Sequence, residues 1–150
     1  MSQETVETVR QLYPADGVDM VAIVEDAENA KKALGPLFHP DFEATIDPQA
    51  IAVGGVDRTA SGIDAFISGW RDWTTAFEAY RITAQEFVAL HDGRVLVLDS
   101  HRSKSQTGGV EMEFRAAGIW TVTEGLIRRL EMFMDRARAL EAAGLSESGG

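Results

Sequence analysis

Asp99 and His101 stand two residues apart in Val95-Leu96-Val97-Leu98-Asp99-Ser100-His101. Side chains alternate along a strand, so Val95, Val97, Asp99, His101 and Ser103 share one face. Two apolar residues followed by an acid and an imidazole describe a strand that leaves a core and enters a polar pocket. A carboxylate beside a histidine fixes the ring tautomer, the pairing that general acid–base chemistry uses. The plainer reading is a solvated strand end. Asp47 is a further candidate, at the end of a short apolar strand from Glu43 to Ile46. A carboxylate at a pocket mouth, partly desolvated, suits removal of a proton from an acidic C–H. Asp47-Pro48 equally serves to end a strand and start a turn.

Glu111, Glu113 and Arg115 alternate on a later strand. On an outer face they form a cross-strand charge ladder worth roughly 0.2–1 kcal/mol per pair; on an inner face they line the pocket. The ladder is the preferred reading. Val110, Met112, Phe114, Ala116 and Trp120 occupy the opposite face, which reads as buried. Trp70, Trp73 and Trp120 could wall an apolar or aromatic ligand, although an aromatic helical stripe also serves as core. A buried indole needs a partner for its N–H, which sets at least one of the three against polar groups.

The elements that must position these residues follow from turns and periodicity. From Tyr80 to Met134 the chain reads as four strands. His91-Asp92-Gly93, Ser105-Gln106-Thr107-Gly108-Gly109 and Thr123-Glu124-Gly125 join them, with Asp-Gly and Gly-Gly supplying the positive φ of tight hairpins. A helix is expected over residues 3–12, broken by Pro14-Ala15-Asp16-Gly17, and a second from about Asp19 to Leu34, stopped by Gly35-Pro36. Leu37 to Phe42 reads as a tight apolar turn, and Gly54-Gly55 as the turn of a weak hairpin over residues 49–60. Ile63, Phe66, Ile67, Trp70, Trp73 and Phe77 recur at helical spacing, predicting an amphipathic helix from about Ile63 to Glu78. Asp135 caps a last helix that Gly144 ends. A meander preceded by helices must bury one face under them. The fold class is therefore α+β, a curved antiparallel sheet wrapped around N-terminal helices with a C-terminal helix.

One domain over residues 1–150, with an ordered core of about 5–145, suits this length. The chain has no cysteine, which removes disulfides, a thiolate nucleophile and cysteine zinc sites. His39, His91 and His101 are too dispersed to suggest zinc, and no phosphate-binding loop is visible. No cofactor and no metal are expected. A net charge of −10 with scattered basic residues argues against nucleic acid and anionic membranes. No apolar run approaches the roughly 20 residues of a membrane helix, and the acidic, polar N-terminus is unlike a secretory signal. A cytoplasmic protein is expected.

The order of elements resembles the nuclear transport factor two-like superfamily, specifically its SnoaL-like branch, a cystatin-like cone. The resemblance is carried by Phe38-His39-Pro40-Asp41-Phe42-Glu43, Gly62-Ile63-Asp64-Ala65-Phe66 and Arg94-Val95-Leu96-Val97. Ile119-Trp120-Thr121-Val122-Thr123-Glu124-Gly125-Leu126-Ile127 and Ala139-Leu140-Glu141-Ala142-Ala143-Gly144-Leu145 complete it. It implies a homodimer with a pocket inside the cone. Its members include steroid isomerases, polyketide cyclases, dehydratases, epoxide hydrolases and non-catalytic binders, so fold alone does not choose the chemistry.

Asp47-Pro48 resembles the dipeptide that carries the proton-shuttling carboxylate of ketosteroid isomerases. Their oxyanion-hole acid has no counterpart, because the matching position falls near Gly118 in Ala116-Ala117-Gly118-Ile119. Their tyrosine would be Tyr13, which abuts Pro14. Two functions follow as expectations. One is a cofactor-independent isomerase, cyclase or dehydratase acting on a small hydrophobic, oxygenated molecule through Asp47, Asp99 and His101. The other is a non-catalytic ligand-binding or accessory dimer. Apolar residues on both faces of 94–98 further suggest a sheet covered twice, by helix and by a partner subunit.

Overall fold

The computed structural model describes residues 2–47 and 59–145. Its elements are α1 (Ser2–Arg10), β1 (Val18–Asp19), α2 (Met20–Glu25), α3 (Ala27–Leu34), β2 (Phe38–Ile46), β3 (Thr59–Ser61), α4 (Ile63–Thr74), β4 (Phe77–Ala89), β5 (Arg94–Ser105), β6 (Glu111–Thr123), β7 (Leu126–Phe133) and α5 (Arg136–Ala142). Seven strands form one strongly curled sheet in the order β1-β4-β5-β6-β7-β2-β3. All neighbours are antiparallel except β2 and β7, which run parallel. The expected α+β cone is what forms. Among the described residues no helix is long and apolar enough to cross a membrane.

The meander turns where Asp-Gly and Glu-Gly supply the angles. Asp92 and Gly93 take φ of 62° and 77°, and Glu124 and Gly125 take 55° and 80°. A Cβ on Gly93 would sit 2.9 Å from the Val122 carbonyl oxygen, so glycine is required there for space as well as angle. β4 and β5 shift register between Ala84 and Glu86, opposite Asp99 and Leu98. Such a bulge bends a strand and re-aims side chains.

Alternation divides the core between the two faces of the sheet. Val95, Val97, Trp120 and Leu130 pack inside the curl with Phe42 and with Val9 of α1. Leu96, Ala117 and Ile119 point outward and are covered by Ala139 and Ala143 of α5. Each valine, leucine, isoleucine or phenylalanine among them contributes about 1.5–3 kcal/mol when fully buried. The second cover expected over residues 94–98 is thus supplied at Leu96 by the chain's own last helix. That helix starts at Asp135, whose carboxylate accepts the Ala137 N–H at 2.9 Å.

Several boundaries differ from the sequence reading. The helix expected over 19–34 is two, divided at Asp26, whose φ of −122° and ψ of 57° are not helical. The Asp26 carboxylate accepts from the Asn29 side chain at 2.7 Å, an example of local polar groups competing with the helix. α4 stops at Thr74 rather than Glu78, and Phe77 opens β4. Phe77 still packs beside Trp73, so contact across a helix–strand junction mimicked helical spacing. The turn expected over Leu37 to Phe42 is a 3-10 turn at Gly35–Leu37 followed directly by β2. Val110 and Met112 are not buried: each is 58% exposed, at the turn end of the β5–β6 hairpin. The Gly54-Gly55 turn lies outside the described residues.

Candidate functional site

Inside the curl is a cavity of about 400 Å³, walled by α2, α4 and the concave face of the sheet. Its size falls in the range of small-molecule sites. The parity of β5 aims Asp99 and His101 into it, and the parity of β6 adds Phe114, Gly118 and Trp120. α4 contributes Trp70 and Trp73, β4 contributes Tyr80, and the turn after α1 contributes Tyr13. Gly118 leaves room: a Cβ there would stand 3.1 Å from Leu130 and 3.7 Å from the Trp120 ring nitrogen.

Asp99 and His101 do come together. His101 Nε2 lies 3.3 Å from Asp99 Oδ1. The contact is close enough for an ion pair but is not aligned as a hydrogen bond, and Oδ1 receives no hydrogen bond. The other ring nitrogen, Nδ1, lies 2.7 Å from the Tyr80 hydroxyl. Which of the two gives the proton depends on the imidazole tautomer. Trp70 lies nearly parallel to the imidazole, 6.4 Å between centroids, and Phe114 approaches it at 4.8 Å.

A second pair repeats the pattern. Trp120 Nε1 donates to the Tyr13 hydroxyl at 3.0 Å, which leaves the Tyr13 proton available to a ligand. Both phenols are pushed well above the ordinary tyrosine range. For Tyr13, burial is the larger cause and the nearby Asp99 charge adds to it, while the Trp120 hydrogen bond opposes. For Tyr80, burial again dominates, the Trp73 hydrogen bond opposes and Asp99 adds a smaller push. Both remain hydrogen-bond donors at any physiological pH.

Asp47 is held elsewhere. It is buried, and the described residues lining the cavity do not include it. Arg138 of α5 grips it with two bonds, Nε to Oδ2 at 2.6 Å and Nη2 to Oδ1 at 2.8 Å. This fork ties the end of β2 to α5. Donating hydrogen bonds to the carboxylate raises the Arg138 pKa further, against some desolvation. From the same helix Arg136 donates to the Asp99 carbonyl at 2.8 Å and the Ala116 carbonyl at 3.2 Å, and also to the Gln85 side chain. It braces from behind the point where Asp99 enters the cavity.

Glu111, Glu113 and Arg115 lie on the convex face. Glu113 stands opposite Arg102, 3.6 Å from its Nε, and Glu111 opposite Lys104, so the ladder reading holds. The three tryptophans all line the cavity. What the sequence reading missed is Tyr80. Its only trace was its place at the start of the first meander strand, and its partner His101 is 21 residues away. Among the described residues no cluster of His, Asp and Glu could hold a metal ion.

A family model described as SnoaL-like domain matches residues 18–130. No curated protein matches the sequence. Among solved structures, an NTF2-like protein of unknown function from Burkholderia pseudomallei K96243 is 20% identical with a TM-score of 0.64, over 93% of this chain and 97% of that one. A protein from Jannaschia sp. CCS1 named as a SnoaL-like polyketide cyclase is 14% identical, TM-score 0.66, over 94% and 92%. TerC, co-crystallised with polyporic acid, is 18% identical, TM-score 0.64, over 94% and 98%. At these identities the likeness is one of fold.

Proposed function

Because the chain belongs to the SnoaL-like domain family, whose cone encloses its ligand site, we propose that this cavity takes a small hydrophobic, oxygenated molecule. Asp99, His101 and Tyr80 then move a proton on it without a cofactor, as an isomerase, cyclase or dehydratase does. The observation that carries this reading is Asp99, a residue of the cavity wall whose Oδ1 is buried with no hydrogen-bond donor. A buried acceptor left without a donor costs about 1–3 kcal/mol, so a site that keeps one has a use for it. His101, poised beside it and bonded to Tyr80, can relay the proton. Tyr13 can donate to a ligand oxygen and stabilise charge that develops there. The co-crystallisation of TerC with polyporic acid is in keeping with an organic ligand in this fold.

A binding protein without turnover is the second reading, and the Asp47–Arg138 pair favours it. The carboxylate that resembles the isomerase base is engaged by arginine rather than turned to the cavity. The expected homodimer belongs to the proposal as well, and a monomer in sedimentation equilibrium at micromolar concentration would remove it.

Hydrogen–deuterium exchange separates the readings. Hydrophobic enolisable ketones that bind are incubated with the protein in heavy water and followed by proton NMR. Proton transfer predicts exchange at the carbon beside the carbonyl, reduced by about 100-fold or more in Asp99→Asn. Binding without exchange supports the non-catalytic reading.

A further inference from the structure

The cavity's charge is lopsided. Among the described residues that line it there is neither lysine nor arginine, while Asp72 and Asp99 both contribute carboxylates. His101 is committed on one side to Tyr80 and meets Asp99 off-axis on the other. A ligand bearing a carboxylate or phosphate would be pressed against these acids with no cation to receive it. One bearing a hydrogen-bond donor would supply what Asp99 Oδ1 lacks.

We infer that the molecule taken by this cavity carries a protonated amine, whose N–H is received by the Asp99 carboxylate within a cage formed by Tyr13, Trp70, Trp73, Tyr80, Phe114 and Trp120. The inference rests on the cavity-binding reading above and narrows it to a hydrophobic amino ketone or amino alcohol. The oxygen of such a ligand faces the Tyr13 hydroxyl, which has a proton to give. The nitrogen is attracted to the carboxylate and to the aromatic faces, whose quadrupoles are negative toward the ring normal. Low dielectric strengthens both attractions relative to water. The chain's net charge of −10 adds a long-range pull on cations and none on anions.

Three isosteric probes test this: 4-phenylbutylamine, 4-phenylbutanol and 4-phenylbutanoate, titrated by calorimetry at pH 7.5 into the full chain. The amine is expected to bind about tenfold or more tightly than the alcohol, and the carboxylate to bind least. In Asp99→Asn the amine and alcohol become equal, whereas Glu111→Gln on the convex face keeps the preference. Equal binding of amine and alcohol to the wild-type protein, or binding of the carboxylate as tight as that of the amine, overturns the inference while leaving a ligand cavity in place. Failure of all three probes to bind overturns the cavity reading with it.

Discussion

Raising the pH should reveal the two buried phenols as a single cooperative event. Tyr13 and Tyr80 are the only tyrosines in the chain, and burial holds both well above the ordinary value near 10. The sign follows from linkage: with the folded pKa raised, the stability these groups contribute is complete below about pH 10. It is lost as pH rises from there toward the folded values. In that window the unfolded chain releases two protons that the folded chain retains. Stability therefore falls by up to about 2.7 kcal/mol per pH unit. Losses of this kind are set against a total stability of only about 5–15 kcal/mol for a domain.

Tyrosinate absorbance at 295 nm, followed together with far-ultraviolet circular dichroism, reads both quantities. The expected record is flat through pH 10–11, then a steep rise that coincides with loss of secondary structure. A gradual titration centred near pH 10 in a protein that keeps its circular dichroism would refute the reasoning. It would mean that water reaches both hydroxyls, and that the Tyr80–His101 and Trp120–Tyr13 bonds do not hold the cavity wall.

Other perturbations test the remaining pieces. Asp99→Asn removes a buried charge with an unpartnered oxygen, so urea denaturation should show a gain of about 1 kcal/mol or more; a loss would mean that His101 compensates the carboxylate fully. Gly93→Ala places a methyl group against the Val122 carbonyl at positive φ and should cost at least about 1–2 kcal/mol in the same assay, with unchanged stability contradicting the turn geometry. Asp47→Asn should lower the thermal midpoint by loosening α5 while leaving ligand affinity unchanged by calorimetry; lost affinity at unchanged stability would return Asp47 to the site. His101→Leu strands the Tyr80 hydroxyl without its partner and should destabilise by about 1–3 kcal/mol, and equal stability would dissolve the Tyr80–His101 bond.

Local chemistry made much of this molecule readable from the chain. Asp-Gly and Glu-Gly can turn tightly wherever they occur, so the meander and its hairpins were legible, and Asp135 announced the last helix. Alternation, with its strict period of two, aimed Asp99 and His101 to one face and put Glu111, Glu113 and Arg115 on the other. Helical spacing was less secure. Phe77 continued the pattern of Trp70 and Trp73 from the first residue of a strand, because contact in space need not follow the element that produces the spacing.

The sequence by itself determined the sheet, its parity and the acidic, aromatic character of whatever it would enclose. Tertiary structure alone decided which carboxylate faces the cavity. Asp47 and Asp99 each follow an apolar run of sequence and are alike in local pattern. The docking of α5 distinguishes them, giving Asp47 the Arg138 fork and bracing the Asp99 backbone through Arg136. Likewise, nothing near His101 in the chain foretold Tyr80 as its partner. Partners this distant are set by the curl of the sheet, which is a property of all its strands together rather than of any one of them.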